Sequence, residues 1–312
     1  METAALGVSA SRVKTRERIS GRFRNNLTIF VFLLPALVVF LLFVVYPVIQ
    51  AGYFSLFNWK GFGVPTDFIG LDNFKDILTD EVFLRAIGNG FLIAALSLTI
   101  QLPLSLALAL MVGRDLPGRI LFRTMFFLPY VFSEVITAII WLGMLNPSPE
   151  RGFINAVLTA IPGVKAIPWL GSPDTVMLAI FGVLTWKYFG FHMLLYMAGL
   201  QHIPIEVEEA ALIDGASERQ RLQYVTIPLL RSTIRTTVYL SVVGSLQQFV
   251  LVWIMTLGGP AHASETMATY LYRFGFTRFY LGYGSAVALV MFLICLTFSL
   301  VYQGLFKQEE YL

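Results

Sequence analysis

The chain has 312 residues, of which 57% are hydrophobic and only 13% charged, about half the ~25% charged fraction of an ordinary soluble domain. A mean hydropathy of +0.73 leaves too little polar side chain to cover a water-facing surface, so the composition excludes a soluble globular protein and points to the membrane. The net charge of +3 gives no reason to expect a nucleic-acid partner. A single cysteine, Cys295 in an apolar run, excludes an internal disulfide and reads as a packing residue.

A membrane-crossing helix needs about 20 predominantly apolar residues. Six stretches qualify, at 27–50, 88–112, 120–145, 175–200, 232–257 and 283–306. All are too long for strands of a membrane barrel and lack period-two alternation, and a helix satisfies its own backbone where lipid cannot. Residues 1–26 form a polar basic tail ahead of the first stretch. That stretch exceeds the ~7–15 apolar residues of a cleaved leader, so it reads as a retained signal anchor. The next loop holds Phe57, Trp59, Phe62, Phe68 and Phe74, which suit an interfacial aromatic belt. The third loop, GFINAVLTAIPGVKAIPWLGSP, holds one short amphipathic helical turn, broken by Pro162 and Gly163. Residues 307–312 are a second short tail.

Lysine and arginine orient the bundle. One side collects Arg12, Lys14, Arg16, Arg18, Arg22 and Arg24 of the tail, then Arg114, Arg119 and Arg123, then Arg219, Arg221, Arg231 and Arg235, and finally Lys307. The other has half as many: Lys60, Lys75, Arg85, Arg151, Lys165, Arg273 and Arg278, offset by Asp67, Asp72, Asp76, Asp80 and Glu81. The expectation is an all-α membrane protein of six transmembrane helices, with both termini and residues 203–230 in the cytoplasm.

That segment, IPIEVEEAALIDGASERQRLQYVTIPLL, gathers Glu206, Glu208, Glu209, Asp214, Glu218, Arg219 and Arg221 between apolar runs. Pro204 suits a first helical turn, the glutamates favour the positive end of the helix dipole, and Gly215 suits a left-handed exit. Ser217 and Gln220 have capping-box spacing, and Pro228 is expected to stop the second helix. The segment reads as helix, glycine turn, helix. Its charges are either a solvated face or, with the small residues Ala210, Ala211, Gly215 and Ala216 among them, a low knob that another protein grips.

Polar residues within spans are costly and mark a path or a partner. Trp186 with Lys187, and Gln247, Gln248 and Phe249 with Trp253 nearby, set aromatic faces beside amide or charged groups, which marks them as candidate path residues. Gln101 reads as an interhelical hydrogen bond. Glu134 and Lys187 either neutralise each other or Lys187 contacts helix backbone, and His192 reads as a satisfied buried histidine. No histidine or carboxylate set has metal-ligand spacing. Gly258-Gly259-Pro260 is a hinge, a partner contact or an ordinary turn.

The spacing Glu209-Ala210-Ala211, Gly215, then Val225-Thr226-Ile227-Pro228 resembles the signature of bacterial ATP-binding-cassette importer permeases, with Val and Ile standing where that family has Ile and Leu. Further blocks occur in the family's order: LLPALVVFLLFVVYPVIQAGYFSLFNW, FIGLDNF, LFRTMFFLPYV, MLLYMAGLQHIPIEVEEAALIDGAS and TLGGPAHASETMATYLYRFGF. They resemble the carbohydrate-uptake, maltose-transporter-like subgroup over nearly the whole chain. The resemblance implies a permease of the bacterial plasma membrane working with a second related permease, two ATP-binding subunits and an extracellular sugar-binding protein. It also implies that 203–228 is the coupling segment seated on the ATPase, through Glu208, Glu209, Ala210, Ala211, Asp214, Gly215, Ala216 and Pro228. No G-x-x-x-x-G-K-[ST] phosphate loop occurs in the chain. ATP and magnesium are then expected on the partner ATPase, and this chain needs no cofactor of its own. A di- or oligosaccharide is the cargo the subgroup implies, with glycerol 3-phosphate or a polyol as the alternative.

Two other classes fit less well. Gly282-Tyr283-Gly284-Ser285-Ala286 resembles the serine motif of six-span intramembrane proteases, which need a histidine base. No histidine follows Ser285, His262 is in a loop, and His192 and His202 lie in or beside the fourth span. An ion-coupled secondary transporter would leave residues 204–228 unexplained.

Overall fold

The computed structural model describes residues 28–113 and 118–306. The expected tails 1–26 and 307–312, with Arg114, lie outside the described residues. Two compact units divide the chain, up to Phe54 and from Ser55 onward. In the first unit, α1 (Thr28–Phe54) is a helix whose most apolar 18-residue stretch has a mean hydropathy of 3.1, and it is exposed along most of its length.

The second unit is helical almost throughout. It contains α2 (Asp72–Thr79), α3 (Glu81–Val112), α4 (Arg119–Val131), α5 (Glu134–Met144), α6 (Phe153–Thr159) and α7 (Pro173–Gln201). There follow α8 (Ile205–Ile213), α9 (Glu218–Arg221), α10 (Arg231–Leu246), α11 (Val250–Thr256), α12 (Met267–Leu271) and α13 (Leu281–Leu305). Among the described residues of the two units, five helices (α1, α3, α7, α10–α11 counted as one, and α13) are long and apolar enough to cross a membrane. The place expected for one continuous span at 120–145 is taken by α4 and α5, bent by 97°. The bend has local causes. Pro129 sits inside α4, and the extended Phe132 and Ser133 restart the chain, with the Ser133 hydroxyl accepting from Ile136 N at 3.2 Å to cap α5.

A wide π turn (i→i+5) precedes a proline in three places: Leu41–Val45 before Pro47, Ser97–Gln101 before Pro103, and Leu222–Thr226 before Pro228. Proline has no N–H for the carbonyl four residues back and clashes with it. Widening the preceding turn keeps the chain helical without forcing that contact. Pro228 therefore does not stop the helix: Ile227–Leu229 continues past it, and the end comes at the buried Leu230.

Helices cross where small residues permit close approach, since lipid gives no hydrophobic drive to pack one helix on another. A Cβ on Gly190 of α7 would collide with the Phe126 carbonyl of α4, and one on Gly284 would come within 2.6 Å of Gly275 Cα. The buried core falls into clusters around Ile180 and Leu251, around Phe83 and Tyr270, and around Met193 and Tyr196. Of the aromatic-belt candidates, Phe62 and Phe68 are exposed, whereas Phe57 is buried and Phe74 packs against the second cluster. Those two ring faces support packing rather than an interface belt.

Candidate functional site: a polar cavity at two helix breaks

The α4–α5 bend frees the Phe132 carbonyl from helical pairing. Lys187 of α7, only 3% exposed, donates its ammonium to that oxygen at 2.6 Å. The Lys187 Nζ also lies 5.9 Å from the Tyr130 ring centroid and 5.6 Å from that of Tyr188. Glu134, the first residue of α5, accepts a hydrogen bond from the Tyr188 hydroxyl. Of the two roles open to Lys187, the structure shows the backbone one.

The second break separates α10 from α11. Gln247 (φ −102°, ψ 8°) and Phe249 (φ −135°, ψ −67°) leave helical geometry. The Gln248 carbonyl accepts from the Thr266 hydroxyl at 2.7 Å, and Thr266 in turn opens α12 through a capping box with Thr269. Both breaks thus have a freed carbonyl answered by a side chain from another element, the arrangement that irregular backbone requires at membrane depth.

Between the breaks lies a cavity of about 370 Å³, at the lower end of the ~300–1,000 Å³ usual for small-molecule sites. Gln247, Gln248 and Phe249 line it, as do Tyr130, Glu134 and Tyr188. Gln101, Ser241 and His192 close the remaining wall. Gln101 is bonded within its own helix, by Ser97 at 2.6 Å, and it is Ser97 that reaches Ser241 of α10 at 2.7 Å. The His192 Nδ1 is buried with no protein partner, so the reading of a satisfied histidine is incomplete. Three residues singled out from the sequence lie off the cavity lining. Trp186 packs edge-on against Trp141, Lys187 is held at the bend, and Trp253 stacks on Phe249 and meets Tyr272. Tyr130 and Glu134 join the cavity instead, because they flank the 97° bend, and Tyr188 of α7 faces it and donates to Glu134. The N-cap pair Ser133-Glu134 was the available signal.

The 203–230 segment has the opposite character. Pro204 precedes α8 as its N-cap, one residue earlier than expected. At the other end Gly215 has φ +82°, with Gly215 N–H on Leu212 O and Ala216 N–H on Ala211 O, both at 3.0 Å. That pair of bonds is the Schellman closure. Ser217 and Gln220 then form a complete capping box. Thr226 donates to Glu208 at 3.3 Å and ties the two arms together. Glu209, Ala210, Asp214 and Pro228 are exposed. So are large apolar side chains among the charges: Ile213 at 86%, Tyr224 at 70% and Ile205 at 66%.

At the far end of α11, Gly258-Gly259-Pro260 belongs to a tightly bonded loop. Buried Glu265 pairs with Arg273 at 3.0 Å and with His262 at 2.8 Å, and the Asn89 amide holds the Ala263 and Glu265 carbonyls. A Cβ on Gly258 would lie 2.6 Å from the Glu265 carboxylate and φ there is +80°, so the position requires glycine.

A helical membrane protein with a polar, aromatic cavity at its helix breaks and a charged helix-turn-helix outside the apolar spans belongs to the class of transporter membrane subunits. Specifically, the chain belongs to the family of binding-protein-dependent transport system inner membrane components, whose match covers residues 101–308. It is 37% identical to the probable ABC transporter permease protein YurN of Bacillus subtilis, over 91% of this chain and 97% of that one. It is 32% identical to the trehalose/maltose transport system permease protein MalF of Thermococcus litoralis, over 96% and 98%. Among solved structures it is similar to a chain of a bacterial alginate ABC transporter crystallised with an alginate pentasaccharide-bound periplasmic protein. The TM-score there is 0.79 at 25% identity, covering 92% of this chain and 96% of that one.

Proposed function

We propose that this chain is one of two related permease subunits of an ATP-driven, binding-protein-dependent importer of a neutral di- or oligosaccharide, forming half of the translocation pathway. The observation that carries the cargo is the cavity at the two breaks. Its aromatic faces (Tyr130, Tyr188, Phe249) suit the C–H surface of a sugar ring, and Gln101, Gln247, Gln248 and Glu134 suit its hydroxyls. No lysine or arginine lines it, and the Lys187 ammonium is taken by Phe132. A phosphate would therefore meet no cation in this half of the path, which argues against glycerol 3-phosphate.

The chain is not itself an enzyme in this reading; hydrolysis of ATP with magnesium occurs on two separate ATP-binding subunits. These seat residues 203–228 on the cytoplasmic side, where both termini also lie, in keeping with the lysine and arginine bias. Exposed Ile213, Ile205 and Tyr224 beside Glu209 and Asp214 supply an apolar patch with a charged rim, the composition of a docking face. Nucleotide binding on the ATPase pair moves the two docked segments, and rigid α8 and α9 pass that motion to α7 and α10 at their ends. The loaded sugar-binding protein docks on the opposite face and favours the outward-open state. Each ligand shifts the equilibrium through its differential affinity for the two states. An ion-coupled transporter would leave the docking face without a use.

Uptake of a labelled oligosaccharide by cells carrying the complete set of subunits tests the cargo reading. Gln248→Ala is expected to raise the half-saturating sugar concentration with little change in expression; unchanged uptake kinetics in a double Gln247→Ala/Gln248→Ala variant would refute it.

A further inference from the structure

A second groove, of about 400 Å³, lies between the first turns of α10 and the last turns of α13. Arg235 is the one charged residue among the described residues that line it. The guanidinium lies over the Phe306 ring, 5.1 Å from its centroid, and its Nε–H is buried with no acceptor. Among the described residues no carboxylate pairs with it. Arg273 has a buried Nε–H without an acceptor as well, but its Nη is paired with the Glu265 carboxylate, and Lys187 is answered by the Phe132 carbonyl. Arg231 stands four residues earlier, on the same helix face and exposed. Ser232, Tyr239 and Gln303 add polar groups to the wall.

With one face of the guanidinium covered by Phe306, what remains is its in-plane edge. Because the Nε–H is itself covered, the groups open to a phosphate are the two Nη amino groups, whose outer N–H bonds point side by side at two oxygens of one phosphate. The position selects the kind of phosphate. The groove sits where α10 begins and α13 ends, hence at the boundary of the apolar layer. Leu300, Val301 and Leu305 of α13 are 61%, 55% and 73% exposed just beside it. Basic pockets between membrane helices at that depth suit lipid headgroups, with acyl chains lying along the exposed aliphatic face.

We propose that this groove binds the phosphodiester headgroup of an anionic phospholipid, with Arg235 forking the phosphate and Arg231 adding to the local positive field. The site is separate from the sugar cavity and does not depend on the cargo reading.

Native mass spectrometry of the full chain in detergent tests it, with phosphatidylglycerol and phosphatidylcholine of identical acyl chains added in equal amounts. Wild type is expected to retain phosphatidylglycerol about five-fold over phosphatidylcholine, a difference of the size made by one charged contact. Arg235→Gln should remove the preference, and Arg151→Gln, in an exposed loop, should leave it intact. Phe306→Leu keeps the charge and should weaken the preference in part, which serves if Arg235→Gln does not fold. Inorganic phosphate at ~50 mM should fail to displace the lipid, because it lacks the acyl contacts. Equal retention of the two lipids, or an unchanged preference in Arg235→Gln, overturns the proposal. So does displacement by inorganic phosphate, which would mark a free-anion site. A preference that appears only after Glu309→Gln/Glu310→Gln also overturns it, since the groove's occupant would then be the chain's own C-terminal segment.

Discussion

Residues 203–230 and the cavity at the two breaks both interrupt helices, yet they are held in contrasting ways. At Gly215 the chain turns with its own local chemistry: a left-handed glycine, two Schellman hydrogen bonds and a capping box, all within a few residues. Around it α8 buries nothing. At Phe132 and Gln248 the freed carbonyls are answered by Lys187 and Thr266, which are 55 and 18 residues away in sequence. Exposed backbone can rely on water and on local caps, whereas backbone at membrane depth needs a distant side chain. One region is shaped by local contacts and offers a surface; the other is shaped by contacts across the bundle and offers an interior.

That difference predicts which substitutions cost function and which cost folding. Gly215→Asp should have the largest effect on transport. Among the described residues nothing beyond the chain neighbours lies within 4 Å of a Cβ there, so the folding penalty is limited to the left-handed backbone, about 1–2 kcal/mol. Loss of a docking contact worth about 2 kcal/mol would cut uptake some thirty-fold. Uptake and thermal unfolding measured on one preparation separate the two effects. Lys187→Met should show the reverse pattern. Leaving the Phe132 carbonyl unpaired costs about 1–3 kcal/mol, seen as a clear fall in the unfolding temperature of the detergent-purified chain. A variant as stable as wild type would mean that the bend does not need its latch.

Inside the cavity the effect should be smaller. Tyr188→Phe removes the hydroxyl that donates to Glu134, and a hydrogen bond to a charged group is worth about 1.5–3 kcal/mol. Part of that is recovered by solvent in an open cavity, so uptake at low sugar should fall about ten-fold with ATPase docking intact. The smallest effect is expected for Ser217→Ala, which loses one cap at about 1 kcal/mol. Hydrogen exchange should quicken in Glu218–Arg221 while uptake stays close to wild type.

The same contrast explains what could be read from the sequence. The helix-turn-helix was legible because Gly215, Ser217 and Gln220 act over a few residues, and a proline, a glycine and a cap each have local meaning. The apolar spans were legible because hydropathy accumulates over ~20 residues. That same averaging concealed the breaks: 120–145 and 232–257 each look like one uninterrupted run, and only Ser133-Glu134 and Gln247-Gln248 mark the interruptions. Pro228 misled in the other direction, because a widened turn before a proline cannot be seen in composition. Trp186 and Lys187 stand out as path candidates on residue type alone, whereas Trp186 packs on Trp141 and Lys187 latches the Phe132 carbonyl. Tyr130 could not be placed without the bend beside it, nor Tyr188 without its Glu134 partner across that bend.

The most direct test of the account is co-purification of the separate ATP-binding subunit with the tagged full chain, when all subunits are expressed together. Wild type, Tyr188→Phe and Gln248→Ala are predicted to retain the ATPase, and Gly215→Asp to lose most of it while still inserting in the membrane. Retention of the ATPase by Gly215→Asp together with wild-type uptake would contradict the assignment of residues 203–228 as the place where ATP hydrolysis is connected to the path.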